Sequence, residues 1–330
     1  MSLTRKQFLG HLGLAATLAA AAFTAAAQSF PTKPIKIIVP YPAGGATDVA
    51  ARMIQPGLQE QLGQPVTVEN RPGAGGNIAM NAVAQSPADG HTLVMTLTGM
   101  MSINPVIFKS PGFTAADFVP VAQVSTAPLI LVVPANSPYK TVPELLAAGK
   151  KAGKAGMAYG SAGAGGLSHL ASELINGHAD GNFTHVPYKG GAPLTQALMA
   201  GEVAWGLLGT ADARGIVQSG KLRAIGQLRN GRSQLWPELP TLPEQGLTDG
   251  VDFDVWFGVA APAKTPKPVV QLLSQKIAAI VAAPAFGQKL KELGGIAPTS
   301  NNTPEAFADI VAKELAVLPK TAKGIGLQLD

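Results

Sequence analysis

The sequence of 330 residues contains no cysteine, and it has few charged and few aromatic residues. Without cysteine the chain cannot form a disulfide, a thiol nucleophile, or a cysteine-type zinc or iron–sulfur site. Charged residues make up 14% and aromatic residues 5%, whereas apolar residues make up 46%. This balance excludes an intrinsically disordered chain, which would be rich in charge and poor in apolar residues. At roughly 100–200 residues per domain, the length predicts two domains, each able to bury its own core.

The chain also lacks a concentrated charge of either sign. Lys and Arg number 25 against 20 Asp and Glu, so the formal net charge is +5. No run of basic residues focuses this small excess, and we therefore expect no nucleic acid partner. The 38 glycines and 27 prolines amount to about one residue in five and predict many tight turns.

The first 27 residues have the pattern of a secretory signal peptide. Arg5 and Lys6 form a positive region, 12–23 form a short apolar region, and Ala25 to Ala27 provide an A-x-A cleavage signal. The apolar region is shorter than the ~20 residues that span a bilayer, which disfavours a membrane anchor. The stretch TRKQFLG is one residue away from a twin-arginine signal, so the export route stays open. We expect a soluble periplasmic protein that begins at Gln28.

Strand-like and helix-like segments alternate along the rest of the chain. Short apolar runs predict strands at 35–39, 66–69 and 91–95, with helices at 46–62 and 78–85 between them. A second series begins with a strand at 129–133 and a helix over 141–151, which Thr141 and Glu144 open as a capping box. This alternation predicts an α/β fold with parallel, doubly wound sheets and right-handed crossovers.

The chain ends in helices that have no strands of their own to cover. Strands predicted at 156–159, 183–186, 203–208 and 222–227 complete the second series, a strand at 254–260 follows, and the tail from 266 is mostly helical. The economical arrangement is a discontinuous first domain made of 28–125 and 249–330, with 126–248 as the second domain.

Three strand-to-helix junctions are rich in glycine, namely YPAGGATD at 41–48, RPGAGGN at 71–77 and GSAGAGG at 160–166. At such a junction the first N–H groups of the helix lack backbone partners, and glycine lets an anion approach them closely. The G-x-x-x-x-G-K-[ST] phosphate motif is absent, and Ser168 replaces the last glycine of a dinucleotide pattern. A carboxylate is therefore the expected anion, and ordinary turn chemistry is the alternative.

The sequence shows no catalytic or metal-binding constellation. G-x-S-x-G is absent, and none of the five histidines has the spacing of a metal site. We therefore expect no enzymatic activity, no cofactor and no metal. His169 fits a supporting or capping role better than direct ligand contact. Asp48 can pair with Arg52 four residues on or meet a ligand, and Lys189 is either a solvated turn residue or a counter-charge for an acid.

Seven stretches, in order, resemble the substrate-binding proteins of tripartite tricarboxylate transporters, the Bug-type periplasmic receptors. They are IIVPYPAGGATDVAAR, VENRPGAGGNIA, YGSAGAGGLSHLASEL, VPYKGGAP, SGKLRAI, LPTLPEQG and WFGVAAPAKTPKPVV. The resemblance runs from about Pro34 to the C-terminal helices. It implies a type II-like periplasmic-binding-protein fold, in which two domains close on a ligand like a flytrap and each domain is a doubly wound sheet flanked by helices.

The resemblance also implies a site in which backbone groups and ordered water hold a carboxylate. The two loops that would do so are 43–48 and 161–169, and segments around Thr98, 188–191 and 209–210 would line the rest. The ligand-binding residues implied in this way are Ala43, Gly44, Gly45, Ala46, Thr47, Asp48, Thr98, Ser161, Ala162, Gly163, Gly165, Ser168, His169, Tyr188, Lys189, Gly190, Gly209 and Thr210.

The function implied is the capture of a small organic acid, or a related carbonyl compound, by a monomer that delivers it to an inner-membrane permease. One alternative is a periplasmic sensor that reports ligand occupancy to a signalling partner without transport. The other is an exported hydrolase or lyase on a similar fold, although no nucleophile–base pair can be named from spacing.

Overall fold

The computed structural model describes residues 30–153, 156–178, 182–248, 254–298, 301–324 and 326–329. The predicted signal peptide and its cleavage site after Ala27 lie outside these residues. The strands are β1 Ile35–Val39, β2 Val66–Asn70, β3 Thr92–Leu97, β4 Phe118–Pro134, β5 Met157–Ser161, β6 Phe183–Pro187, β7 Trp205–Gly209, β8 Leu222–Leu228 and β9 Asp254–Pro262.

Helices lie between and after these strands. They are α1 Ala46–Leu62, α2 Asn77–Ala84, α3 Asn104–Ile107, α4 Val142–Lys151, α5 Leu167–His178, α6 Gly191–Ala200, α7 Thr210–Gln218, α8 Lys267–Val281, α9 Pro284–Glu292 and α10 Pro304–Gly324. The bounds of α1 agree with the prediction, and α4 begins after Thr141, whose hydroxyl accepts a hydrogen bond from the Glu144 N–H at 3.3 Å. Thr303 caps α10 in the same way, accepting from the Ala306 N–H at 3.1 Å.

The strands form one mixed sheet in the order β2-β1-β3-β9-β4-β7-β5-β6, with β8 also paired to β4. β1 is parallel to β2 and β3, and β5 is parallel to β6 and β7, as the alternating pattern predicts. β4 and β9 run antiparallel to their neighbours. The prediction of wholly parallel sheets was therefore wrong, because β4 and β9, which lie between the two parallel units, run antiparallel to the strands beside them.

Strand β4 is shared by the two units. Its residues from Phe118 to Pro128 pair with β9, whereas those from Leu129 to Pro134 pair with β7 and β8. The strand predicted at 129–133 is only its second part. The division predicted near 125 stays a prediction, and the return crossing predicted near 250 falls on 249–253, outside the described residues.

Each unit packs helices against its own part of the sheet. In the first unit α1 and α8 cover one face, where Ile37, Ile54 and Ile277 are fully buried. In the second unit Tyr159 and Trp205 are the largest buried side chains. Burying a large apolar side chain contributes about 1.5–3 kcal/mol to stability.

Helix α10 connects the two cores. Phe307 and Val311 pack in the first unit, whereas Leu318 and Ala322 pack with the core of the second unit. A helix of 21 residues is roughly 30 Å long, long enough to reach both. Assigning all of 249–330 to the first domain therefore leaves out the contacts that the end of α10 makes with the second.

Helices α8 and α9 form an apolar stretch near the C-terminus. Among the described residues no single helix is long and apolar enough to cross a bilayer, and α8 with α9 reaches that length only as a pair bent by 70°. The buried face of α8, with Val270, Leu273 and Ile277, packs on the first core.

Candidate functional site

The loop between β1 and α1 exposes its backbone at the carboxyl end of a parallel strand, where ligands bind in open α/β sheets. Residues 42–46, including Ala43, Gly44, Gly45 and Ala46, are exposed, whereas Thr47 and Asp48 are buried. Gly44 has a φ of +84°, and a β-carbon there would meet no other atom within 4 Å. Glycine is needed at this position for its backbone conformation and not for lack of space.

Asp48 fixes the shape of this loop. Its carboxylate accepts hydrogen bonds from the Gly44 N–H, the Arg52 Nε and the Asn70 Nδ2, each at 2.9 Å. Burial alone would raise the pKa of Asp48, but the hydrogen bonds from Arg52, Gly44 and Asn70 outweigh it and hold the pKa below its usual value. The predicted pairing with Arg52 is present, and the other two donors to Asp48 belong to the loop itself and to the end of β2.

The amides that this loop leaves open are those of the first turn of α1. The Gly44 N–H bonds to Asp48, and the Gly45 N–H is 3.4 Å from the Pro42 carbonyl. Within the described ranges the N–H groups of Ala46, Thr47 and Asp48 have no acceptor, as the first turn of a helix predicts. These three N–H groups and the positive end of the helix dipole can hold a carboxylate.

The loop between β5 and α5 is held from within by two hydroxyl groups. The buried Ser161 Oγ donates to the Gly163 carbonyl at 3.1 Å and accepts from the Gly163 N–H at 3.3 Å. Ser168 Oγ accepts from the Ala162 N–H at 3.2 Å. The Gly165 N–H donates to Nδ1 of His169 at 3.1 Å. Among the described residues of this loop and the first turn of α5, the N–H groups that have no acceptor are those of Ala164, Leu167, Ser168 and His169.

His169 supports this loop from a buried aromatic stack. Its ring lies 3.6 Å from that of His185, centroid to centroid, and nearly parallel to it, and His185 stacks in turn on Tyr159. His185 Nε2 is 2.7 Å from Ser161 Oγ. Burial and, second, the nearby His169 lower the pKa of His185 to about 4, so its imidazole is neutral near pH 7.

Glu173 completes the support one helical turn further along α5. Its Oε1 accepts from the Tyr159 hydroxyl at 2.5 Å and lies 3.7 Å from His169 Nε2. Burial alone would raise the pKa of Glu173, but the nearby His169 imidazole and the hydrogen bonds from Tyr159 and Asn176 outweigh it and lower that pKa to about 2. His169 therefore holds the loop and its helix together, in agreement with the supporting role that its position predicts.

The segment after β6 lies beside this loop. The Tyr188 N–H donates to the Ser161 carbonyl and the Gly190 N–H to the Ala162 carbonyl, each at 2.9 Å. Gly190 has a φ of +113° and precedes α6. Lys189 between them is exposed, and the Tyr188 hydroxyl donates to Glu202 at 3.3 Å. The structure thus brings 161–169 and 188–190 together, as predicted.

The segment after β7 is placed next to the same group of loops. The buried Thr210 donates its hydroxyl hydrogen to the Pro128 carbonyl at 2.9 Å, so this side chain is committed to β4. Asp212 in the first turn of α7 contacts the backbone of Gly191, because a β-carbon on Gly191 would lie 2.0 Å from Asp212 Oδ2. The sequence prediction stopped at Thr210 and missed Asp212.

Thr98 follows β3 and lines a cavity of about 460 Å³ beside β4 and β9. Its hydroxyl accepts from the Trp256 N–H at 2.8 Å and donates to the Asp254 carbonyl at 3.2 Å. Glu314 of α10 lines the same cavity and accepts hydrogen bonds from Trp256 Nε1 and from Ser102 Oγ. Burial raises the pKa of Glu314 to about 7. Thr98 is therefore committed to the strand that links the two units.

Ser161 and His185 form a hydroxyl–imidazole pair that sequence spacing did not reveal. At 2.7 Å they have the separation of a nucleophile and its base. Ser161 is fully buried, however, and its hydroxyl is also engaged by both backbone groups of Gly163. A nucleophile has to reach its substrate, so the pair orders the loop and is not arranged for attack.

The chain is similar in sequence to a known family of receptors. Residues 50–322 match the family model described as tripartite tricarboxylate transporter family receptor. A protein encoded in the tcbD-tcbE intergenic region of Pseudomonas sp. strain P51 is 38% identical over 288 residues, which cover 87% of this chain and 84% of that protein. BugT of Bordetella pertussis is 33% identical over 328 residues, covering 97% and 98% of the two chains.

Solved structures with the same architecture confirm the predicted two-domain, mixed α/β periplasmic-binding-protein fold. R. palustris Rpa4515 with adipate has a TM-score of 0.82 at 31% identity, covering 91% of this chain and 99% of that one. The periplasmic binding protein BugD has a TM-score of 0.80 at 31% identity, with the same coverage. MatC of Rhodopseudomonas palustris with bound malate has a TM-score of 0.80 at 29% identity, covering 88% and 99%.

Proposed function

The chain belongs to the tripartite tricarboxylate transporter receptor family, and on that premise we propose that it binds one small carboxylate-bearing solute between its two domains and delivers it to an inner-membrane permease. The family consists of solute-binding receptors, of which BugD is periplasmic. Two relatives of the same fold carry adipate and malate, both small carboxylic acids.

The observation that carries the proposal is a pair of loops of the same design, one in each unit. Each follows a parallel strand and leaves the first-turn amides of a helix without an acceptor in the described residues, at 46–48 and at 167–169. Each is shaped by a buried acid or imidazole, Asp48 in one and His169 in the other, which bonds to a loop amide. An anion between the two helix ends gains from both sets of N–H groups and both dipoles.

In this proposal the protein binds its solute without changing it chemically. Ser161 and His185 are the pair with nucleophile–base spacing that the site contains, and Ser161 is buried and held by its own loop. Ligand specificity then depends on the segments after β6 and β7. The mature chain is proposed to begin at Gln28 in the periplasm, which N-terminal sequencing of the periplasmic fraction tests.

Native mass spectrometry of protein purified from periplasm without denaturation tests the binding function. We expect one bound acid per chain, and calorimetric titration with that acid should give one site. Recovery of the acid at unchanged mass after prolonged incubation supports binding without turnover. A product of altered mass would instead support the hydrolase or lyase alternative.

Uptake of the labelled acid by cells separates delivery from sensing. Cells that lack the receptor should take up the acid more slowly, and the cloned receptor should restore the rate. Unchanged uptake together with a lost transcriptional response to the acid would favour the sensor.

A further inference from the structure

The second unit contains an acidic side chain at the ligand-binding edge of the sheet. Asp212 is the third residue of α7, directly after β7, and β7 is parallel to β5. Its Oδ2 would lie 2.0 Å from a β-carbon on Gly191 and 3.7 Å from one on Gly209. The carboxylate is therefore seated between the ends of α6 and α7, next to the segment 188–190 that pairs with the loop at 161–162.

Asp212 has no partner of its own in the part of the chain that the structure describes. No hydrogen bond and no ion pair reaches its carboxylate, and burial raises its pKa. Asp48 stands at the matching place in the first unit, in the first turn of α1, and three donors satisfy it. An acidic side chain at a helix N-terminus stabilises the helix dipole whether or not it has hydrogen-bond donors. The dipole therefore does not explain why Asp48 has three donors and Asp212 has none among the described residues.

A partly buried carboxylate without donors is destabilising in the free protein, and a cation or N–H donor from outside relieves that penalty. The exposed Lys189 is close in sequence to Gly191, but no ion pair joins it to Asp212. In the free protein solvent supplies the donors to this carboxylate, and a bound solute that displaces the solvent has to supply a donor in its place.

We propose that Asp212 is a specificity-determining residue, and that it selects a solute bearing an ammonium group in addition to its carboxylate. The inference rests on the proposed function, since it assigns the solute's second group at the same site. The ammonium forms a charge-assisted hydrogen bond with Asp212, whereas a second carboxylate at that place meets a like charge. The preferred solute is therefore zwitterionic and not dianionic.

Calorimetric titration at pH 7.5 tests this with saturated acids of three to six carbons. Each chain length is used with a second carboxylate and with an ammonium group, the latter at the α or the terminal position. The proteins are the wild type, Asp212→Asn, and Asp309→Asn, which makes the same change at an exposed position of α10. Thermal unfolding of all three measures any purely structural effect.

We expect the wild type to bind its best ammonium acid at least tenfold more tightly than the dicarboxylate of equal length. Asp212→Asn should reduce that ratio by about tenfold or more, and Asp309→Asn should leave it unchanged. A purely structural role would shift the unfolding temperature of Asp212→Asn and weaken all the acids alike, which overturns the proposal. A wild type that prefers dicarboxylates overturns it too, while the proposed function stands. A wild type that binds none of these acids overturns the proposal for Asp212, while the native mass spectrometry described above decides the proposed function separately.

Discussion

Individual buried polar residues determine the shape of both loops proposed to bind the ligand. Asp48 bonds to the Gly44 N–H, and Ser161 and His169 bond to Gly163 and Gly165. A buried polar group that loses its partner costs about 1–3 kcal/mol. These side chains therefore hold the loop backbones in place before any ligand arrives, which lowers the ordering cost of binding.

His185 gives this network a measurable pH dependence. The unfolded chain protonates this imidazole near its ordinary pKa of 6.5, whereas the folded protein does so near 4. The unfolded state therefore binds more protons between these values, and stability falls as the pH drops from 6.5 towards 4. In urea unfolding from pH 4 to 7, His185→Gln should show a shallower loss than the wild type.

The control for this prediction is His178→Gln, which removes an exposed histidine at the end of α5. Its loss of stability between pH 6.5 and 4 should follow the wild type. If His185→Gln and His178→Gln show the same slope, the neutral buried imidazole is not the cause.

At the scale of the element, the backbone at the start of α1 requires glycine at one position and tolerates a side chain at the next. Gly44 has a φ of +84°, whereas Gly45 has a φ of −75° and its nearest contact to an added β-carbon is 3.5 Å, to Pro42. A left-handed residue with a β-carbon costs about 1–2 kcal/mol. Gly44→Ala should therefore destabilise the protein by about 1 kcal/mol more than Gly45→Ala, as denaturant unfolding measures.

The same loop distinguishes backbone from side-chain capture of the anion. Gly44→Val should weaken binding of the native acid more than tenfold, because it distorts the loop that presents the first turn of α1. Lys189→Ala should weaken it less than tenfold, since that exposed side chain is not needed to hold the carboxylate. Calorimetric titration of both variants distinguishes these two modes of anion binding. Loss of binding in Lys189→Ala alone would show that a salt bridge holds the anion.

Helix α10 is attached to the loop after β3 through Glu314. Burial raises the pKa of Glu314 from 4.5 to about 7, so the folded protein keeps a proton that the unfolded chain releases. Stability consequently falls as the pH rises from 4.5 to 7, opposite to the effect of His185. Glu314→Gln should flatten this fall in urea unfolding between pH 5 and 8. An exposed Glu305→Gln on the same helix should not, and equal slopes in the two variants would refute the assignment.

Local signals explain which elements could be predicted. The fourfold spacing of Ala50, Ile54 and Leu58 identifies α1, and the Thr141 cap identifies α4. The first half of β4 was missed because Gln123 and Ser125 interrupt its apolar pattern. The positions of Asp212 and His185 depend on contacts with Gly191 and Ser161, far along the chain, so no local pattern could indicate them.

At the scale of the whole molecule, the two units are linked by β4, β9 and α10. A solute that contacts both units stabilises the arrangement in which they are closest. Small-angle X-ray scattering should show a smaller radius of gyration at saturating acid than in the ligand-free protein. The Gly44→Val variant at the same acid concentration serves as the control and should show a smaller change. A radius that does not respond in the wild type contradicts ligand-driven closure.

The central claim is that the protein captures a free carboxylate and leaves it unchanged. Calorimetric titration with the acid found by native mass spectrometry, and with its methyl ester, tests this most directly. The account predicts one site for the acid, binding of the ester at least a hundredfold weaker, about 2.7 kcal/mol, and recovery of both compounds at their original mass. Equal affinity for acid and ester, or a change in the mass of either compound, would contradict it.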